Sequence, residues 1–222
     1  MKYTIEGKNL PVSLCELHEN ETIVSEGGAM CWMSPNMEMK TSTRGGFKKA
    51  FGRSLSGERA FQNIYRAKKG PATIAFASKF PGTIISYDVF YGNEIIVQKS
   101  SFIASEEGVD ASVYFQEKLS TAMFGGEGFI MQKLSGNGKA FLEIDGDIKI
   151  YDLMPGEEII IDTGHLAAMS RTCSMDIKKI SGVKNVLFGG EGLFNTIVRG
   201  PGKVYLQTMP ISKLRALFTM DE

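Results

Sequence analysis

The sequence of 222 residues contains two histidines, His18 and His165, whose side chains are the best suited to act as a general base near neutral pH. A cysteine or serine nucleophile needs such a base close by. Alignment of the sequence with itself puts Met154 at the position of His18, so the two histidines fall in different parts of a repeated pattern. We therefore predict no catalytic residue and expect a protein that is not an enzyme.

Two histidines also argue against a metal centre. The centre that a double-stranded β-helix could hold takes two or three clustered histidines and a carboxylate. The segment PGEEIIIDTGHLAAM (Pro155–Met169) has Asp162 close to His165 but no second histidine. We interpret Asp162 and His165 as a turn pair, and we predict no metal and no cofactor.

Carboxylate pairs and glycine-rich loops give no clearer chemistry. Two acid pairs stand at turn signals, where carboxylates are normally solvated: Asp145 with Asp147, and Glu157 with Glu158. The sequence FGGEG occurs twice, starting at Phe124 and Phe188, without the GxxxxGK[ST] pattern of a phosphate-binding loop. We interpret these glycines as structural.

One segment departs from the neutral balance of charge. Between Lys40 and Lys69 the sequence has nine basic residues and one acid, so the rest of the chain has a formal net charge of about −8. Its centre, RGGFKKAFGRSL, interleaves phenylalanines with basic residues and could contact RNA phosphates or an anionic membrane. The candidate anion-binding residues are Arg44, Lys48, Lys49, Arg53, Lys68 and Lys69. A solvated loop is the alternative interpretation.

The cysteines and the start of the sequence indicate a compartment. Three cysteines lie far apart without CxxC spacing, which is not typical of a disulfide framework: Cys15, Cys31 and Cys173. The first residues, MKYTIEGKNLPV, have no apolar signal segment, and no uncharged run approaches the ~20 residues of a membrane helix. We expect a soluble cytoplasmic protein.

Internal repeats are the strongest signal in the sequence. Residues 124–146 and 188–210, 64 positions apart, are identical at nine of 23 positions, where average composition gives about one or two. At the same offset, residues 84–97 and 148–161 are identical at seven of 14 positions. An offset of 136 joins the start of the chain to its end, matching Ile23 with Ile159 and Met33 with Met169. We predict three repeat units, over residues 1–82, 83–146 and 147–222.

Short runs of β-branched and aromatic residues between glycines predict strands within each unit. Strands at this density form a sandwich or a short double-stranded β-helix. Asp145-Gly146 is a hairpin turn signal between two such runs, and two short helices are predicted over Gln116–Met123 and Ser212–Phe218. The segment MCWMSPNMEM (Met30–Met39) could bind a soft metal or an apolar ligand, but we interpret its side chains, Trp32 included, as core.

Three segments carry a resemblance to a known family: GGAMCWMSPNMEM, LSGERAFQNIYRAKKGPATIAFASKFPGTI and GGEGLFNTIVRGPGKVYLQTMP. The sequence resembles the mitochondrial "altered inheritance of mitochondria" protein and its bacterial and archaeal relatives, a domain of unknown function. The resemblance implies an oligomer and three tandem short double-stranded β-helix units, similar in fold to the tryptophan RNA-binding attenuation protein. Fold analogy does not carry function, and no repeated basic and aromatic motif suggests the RNA site of that protein.

The sequence thus favours a non-enzymatic structural or interaction protein that assembles into a homo-oligomeric β scaffold. One alternative is a binder of RNA or acidic membrane through the basic stretch Lys40–Lys69. A second alternative is an enzyme or small-ligand binder with a pocket between repeats. No protein partner is indicated.

Overall fold

The computed structural model describes residues 1–42, 62–117, 128–179, 194–211 and 213. Their regular structure is almost entirely β, which confirms the predicted all-β class. The strands are β1 (Lys2–Glu6), β2 (Val12–Leu17), β3 (Thr22–Ser25), β4 (Met30–Met33), β5 (Met37–Ser42), β6 (Gln62–Ala67), β7 (Ala72–Ala77), β8 (Gly82–Val89), β9 (Ile95–Gln98), β10 (Phe102–Glu106), β11 (Val109–Glu117), β12 (Phe129–Gly136), β13 (Gly138–Asp145), β14 (Ile148–Leu153), β15 (Glu158–Asp162), β16 (Leu166–Ser170), β17 (Ser174–Lys179), β18 (Phe194–Arg199) and β19 (Gly202–Gln207). Single 3-10 turns precede β10 and β16, at Lys99–Ser101 and Thr163–His165.

The predicted helices have different outcomes. Gln116 and Glu117 lie in β11, so the helix predicted from Gln116 is wrong at its start, and residues 118–123 lie outside the described residues. Long alternation of apolar and polar residues along β11 and its pairing with β12 explain the extended backbone. Lys213 is helical, and the other residues of the predicted terminal helix lie outside the described part of the chain.

The strands form four antiparallel sheets. A four-stranded sheet has the order β1-β2-β7-β4, and a three-stranded sheet has the order β15-β18-β17. Two six-stranded sheets have the orders β5-β6-β3-β10-β13-β8 and β11-β12-β9-β16-β19-β14. Each strand of the second six-stranded sheet stands six places after its equivalent in the first, so the two sheets have the same connectivity.

The hairpin predicted at Asp145-Gly146 is wrong. Strand β13 before the turn pairs with β8 and β10, whereas β14 after it pairs with β19 in a different sheet. The turn therefore takes the chain from one sheet to the next. Gly146 has φ +74°, and a Cβ there would lie 2.6 Å from Thr208 Oγ1, so glycine is required for a tight crossing rather than for a hairpin.

A shift in the register of strand pairing, typical of a β-bulge, occurs at equivalent places in three strands. Pairing with the neighbouring strand shifts between Met30 and Trp32 in β4, between Phe102 and Ala104 in β10, and between Leu166 and Ala168 in β16. An extra residue at this point bends a strand and resets which side chains face the core.

Three apolar clusters fill the space between sheets. The first includes Tyr65 and Phe76, whose rings meet edge to face with centroids 6.2 Å apart. Phe129 and Met131 belong to the second cluster, and Phe102 belongs to the third. The clusters draw residues from sequence positions far apart, so burial of apolar surface joins the whole described chain.

The Met30–Met39 segment is core only in part. Met37 is buried, and Met30 and Met33 pack against the first cluster. Trp32, however, is 54% exposed, so its predicted place in the core is wrong. The irregularity in β4 disrupts the expected alternation, and β4 lies at the edge of its sheet.

Candidate functional site

Two edge strands, β4 and β15, form the candidate site. In the described part of the chain, β4 pairs only with β7, and β15 pairs only with β18. Among the described residues, each strand therefore has one side whose backbone groups face no neighbouring strand. Open edges of this kind are able to pair with another strand.

Their counterparts inside the chain are paired on both sides. Sequence offsets of 136 and 64 relate β4 to β16 and β16 to β10, and the same offsets relate β3 to β15 and β9 to β15. Strand β10 pairs with β3 and β16 pairs with β9, in the middle of the two six-stranded sheets. We call the β3–β10 and β9–β16 pairings the internal junctions. By the same offsets, β4 and β15 would be the partners of a third such junction, but they do not pair with each other in the part of the chain that the structure describes. We call β4 and β15 the free strands.

Exposure separates the free strands from the internal junctions. Trp32 in β4 is 54% exposed, whereas the residues at its position, Ala104 and Ala168, are fully buried. Ile160 in β15 is 62% exposed, whereas Val24 and Ile96 at its position are fully buried. Large apolar side chains thus lie in solvent at positions that are core elsewhere in the same chain.

The cysteine thiols also differ in exposure between the free strand β4 and the rest of the described chain. Cys31 lies beside Trp32 in β4 and is exposed, whereas Cys15 and Cys173 are buried. Burial, followed by the nearby charge of Glu106, raises the pKa of the Cys15 thiol to about 12. Burial also raises the pKa of the Cys173 thiol, so Cys31 is the accessible thiol of the three.

Comparison with known proteins identifies the family. The model of a family described as "Mitochondrial biogenesis AIM24" matches residues 3–209. The chain belongs to the AIM24 family. This confirms the family expected from the sequence motifs.

Two proteins of Streptococcus pyogenes are similar to this AIM24 chain. The uncharacterized protein M6_Spy0233 of serotype M6 (strain ATCC BAA-946 / MGAS10394) is 29% identical over 227 residues, which cover 96% of this chain and 88% of that protein. The crystal structure of protein SPYM3_0169 superposes with a TM-score of 0.80 at 24% identity, covering 100% of this chain and 99% of that chain. The second similarity shows a shared fold.

The two histidines of this AIM24 chain have separate structural contacts. The backbone N–H of His18 donates to Glu21 Oε2 at 2.8 Å in an exposed turn. His165 Nδ1 lies 2.7 Å from the carbonyl oxygen of Gln207, so this nitrogen donates. The Asp162 carboxylate lies 2.9 Å from Lys213 Nζ, so the turn pair predicted between Asp162 and His165 is replaced by other partners.

The predicted acid pair at Asp145 and Asp147 is not simply solvated. Asp145 is buried, and its Oδ2 accepts a hydrogen bond of 2.8 Å from the backbone N–H of Ile211. Burial raises the pKa of the Asp145 carboxyl, and the hydrogen bond from Ile211 lowers it. The carboxylate thus holds Ile211, in the segment after β19, against the crossing between sheets.

Glu143, on the same strand, has a similar structural role. Its Oε1 accepts hydrogen bonds from Ser78 Oγ at 2.8 Å and from the Phe80 N–H at 3.2 Å. These contacts fix the segment between β7 and β8.

The candidate anion-binding residues are only partly described. Arg44, Lys48, Lys49 and Arg53 lie outside the described residues. Lys68 Nζ lies 3.3 Å from Glu38 Oε2, and Lys69 is exposed in the turn between β6 and β7. Binding of RNA or acidic membrane through this stretch stays a prediction, as does a ligand pocket between repeats.

Two searches bear on metals and membranes. Among residues 1–42, 62–117, 128–179, 194–211 and 213, no three His, Cys, Asp or Glu side chains come together in a way that could hold a metal ion. Within the same ranges, no helix is both long enough and apolar enough to cross a bilayer.

The sequence patterns did not predict that the side chains of Trp32 and Ile160 are exposed. A signal for Trp32 was nevertheless present, because the aligned positions hold Ala104 and Ala168. A tryptophan where two repeats have alanine indicates a different environment. No comparable signal marks Ile160, since its position holds valine or isoleucine in every repeat.

Proposed function

We propose that this AIM24 chain is a non-enzymatic building block of a homo-oligomeric β scaffold. One observation carries the proposal. Two free edge strands expose Trp32 and Ile160 at positions whose counterparts are fully buried between strands of the same chain. A second copy that covers these edges would give them the environment that their counterparts have.

The proposal includes three units of six strands that resemble the short double-stranded β-helix of the tryptophan RNA-binding attenuation protein. Their pseudo-threefold repeat stays open within one chain, because β15 of the third unit does not pair with β4 of the first unit among the described residues. Recurrent pairing supports the three units. Strand orders β2-β7-β4, β8-β13-β10 and β14-β19-β16 correspond, as do β5-β6-β3, β11-β12-β9 and β17-β18-β15. Strands β8 and β14 begin at Gly82 and Ile148, close to the boundaries predicted at residues 82 and 146.

Burial of Trp32 and Ile160 alone does not stabilise an oligomer enough to offset the cost of association, so other contacts have to contribute. Covering a tryptophan or isoleucine side chain contributes about 1.5–3 kcal/mol, whereas association itself costs about 4–15 kcal/mol. Backbone hydrogen bonds along the edges and the half-buried side chains of Met33 and Ile159 add to the favourable side. Closure of a ring would add further stability, because each copy is then held at two places.

The mass of the particle in solution tests the proposal. The chain has a mass of 24.4 kDa, and we expect light scattering after size exclusion to give a multiple of that mass at micromolar concentration. Ile160→Lys should lower the mass towards that of one chain. Ile150→Lys is the matched control, because Ile150 is 48% exposed on the edge strand β14. A wild-type particle of single-chain mass up to ~100 μM, where contacts weaker than about 5–6 kcal/mol stay dissociated, would contradict the proposal.

A further inference from the structure

We infer that β4 of one copy pairs antiparallel with β15 of a second copy, in the register of the internal junctions. The inference rests on the proposed function and names its contact. It commits to a second copy of this chain as the partner, because the two free strands are the two halves of a pairing that the chain already makes twice.

The internal junctions define the register. Ala104 stands opposite Ser25 and Ser105 opposite Val24 in the first junction. The second junction has Ala168 opposite Val97, Met169 opposite Ile96 and Ser170 opposite Ile95. Both junctions have the same alignment, since β10 maps onto β16 with the offset of 64 and β3 maps onto β9 with 72, the difference between 136 and 64. Transferred to the free strands, it sets Trp32 opposite Ile161, Met33 opposite Ile160 and Ser34 opposite Ile159.

Residue types support this register. The pairs Met33 with Ile160 and Ser34 with Ile159 repeat the residue types of Met169 with Ile96 and Ser170 with Ile95. Two of three opposite pairs are therefore the same in the second internal junction and in the proposed contact. A slip of one residue would turn each strand to its other face and remove this match.

The third pair differs in size. Trp32 occupies the position of Ala168, and Ile161 occupies the position of Val97. Both replacements enlarge the apolar side chain. A contact between separate molecules has to offset the loss of translational and rotational freedom, which the internal junctions do not, and tryptophan is enriched among the residues that dominate such contacts.

The contact is heterologous, since β4 of one copy meets β15 of the other. Each pairing leaves one β4 and one β15 free at the ends of the pair. Further copies add in the same way until the array closes into a ring or extends as a filament. A two-fold dimer through β4 with β4 is not expected.

Disulfide trapping tests the register and the polarity together. A full-length chain with Cys31→Ser removes the exposed thiol, and Met33→Cys with Ile160→Cys introduces the opposite pair. Directly opposite residues have Cβ atoms about 4.5–5.5 Å apart, close enough for a disulfide after small adjustment. We expect mild oxidation to give a ladder of covalent oligomers on a non-reducing gel.

Three controls define the result. A Cys31→Ser chain with only one of the two introduced cysteines should not cross-link, because each residue meets a different strand of the partner and Cys15 and Cys173 are buried. Met33→Cys with Glu158→Cys keeps the same face but shifts the partner by two residues, about 7–8 Å away, and should cross-link at least ~10-fold more slowly. Circular dichroism and a thermal transition at the wild-type temperature show that each variant folds.

The outcomes separate this inference from the proposed function. An oligomer by mass that gives no ladder with the opposite pair places the interface elsewhere and overturns the inference alone. Covalent dimers of the Met33→Cys chain by itself indicate a two-fold contact and overturn it as well. A wild-type particle of single-chain mass overturns both. A ladder confined to the opposite pair supports both.

Discussion

The strands of the internal junctions and the free strands hold equivalent positions, but they differ in the number of strands that pair with them among the described residues. In the internal junctions, Val24 and Ile96 lie between two strands and are fully buried. Ile160, at the position related to them by the sequence offsets, has a strand on one side only among the described residues and is 62% exposed. The comparison shows that these similar apolar residues are buried or exposed according to where their strand lies in a sheet, and not according to their type.

The difference also has a consequence for sequence. Positions inside the array hold small or matched residues such as Ala104 and Ala168, whereas the free end holds Trp32. A contact between molecules benefits from a large aromatic side chain, while a contact within one chain is already favoured by the connecting backbone. Equivalent positions thus hold different residues where their surroundings differ.

Alanine substitutions at equivalent isoleucines give the largest contrast. Ile96→Ala leaves a cavity in the core and should lower the free energy of unfolding by about 2–5 kcal/mol. Ile160→Ala should change it by less than ~0.5 kcal/mol when the chain is dilute enough to be dissociated. Urea unfolding at low protein concentration measures both. Equal losses would mean that Ile160 is core in the single chain, contrary to its exposure.

Trp32→Ala tests the other free strand, β4. The substitution gives β4 the alanine that β10 and β16 have at the equivalent position. We expect assembly to weaken about 30-fold, the loss typical of a dominant interface residue, with little change in single-chain stability. Sedimentation velocity over a concentration series measures the change. Tyr91→Ala, at a turn residue that is 95% exposed, is the control and should leave the mass unchanged.

Thiol labelling distinguishes the free edge from the interior. Cys31 should react with a maleimide in dilute protein and become at least several-fold slower on assembly, because β15 of the next copy covers β4. Cys15 should react only after unfolding, since burial and the charge of Glu106 raise the pKa of its thiol to about 12. Mass spectrometry of labelled peptides reports each site. Unchanged labelling of Cys31 across the assembly transition would contradict coverage of β4.

Asp145 gives the smallest expected effect. The offset of 64 matches it with Met209, which is 45% exposed, whereas Asp145 is buried at the crossing between sheets. Because burial raises the pKa of the Asp145 carboxyl in the folded chain, its ionisation should lower stability as pH rises from its ordinary pKa through the raised one. Asp145→Asn should remove that decline, and thermal unfolding between pH 3 and pH 7 measures it. The quantity to compare is the difference between wild type and Asp145→Asn, because the lowered pKa values of the Glu21 and Glu38 carboxyls make stability rise over the same range. A difference that does not change with pH would contradict this assignment.

The all-β class could be predicted from the sequence, because it depends on patterns along the chain. Identities such as Ile23 with Ile159 and Met33 with Met169 mark equivalent strand positions directly. Local turn chemistry was less informative. Asp145-Gly146 suits a hairpin, yet β13 and β14 pair with strands far away in sequence, and only those partners decide the sheet.

The candidate site was largely beyond sequence patterns. Apolar side chains at Trp32 and Ile160 look like core, because a sequence does not show which strands lie at the edge of a sheet. The aligned alanines at Ala104 and Ala168 were a usable signal for Trp32 alone. Whether a strand lies at the edge of a sheet depends on which other strands pair with it, and those partners are distant in sequence.

Amide hydrogen exchange as a function of protein concentration tests the central claim most directly. Pairing of β4 with β15 predicts that amides of both strands, from Met30–Met33 and from Glu158–Asp162, become protected together as the particle mass rises. The internal strands β9 and β16 should be protected at every concentration. Protection that rises elsewhere while one or both of β4 and β15 continue to exchange rapidly in the assembled particle would contradict the claim.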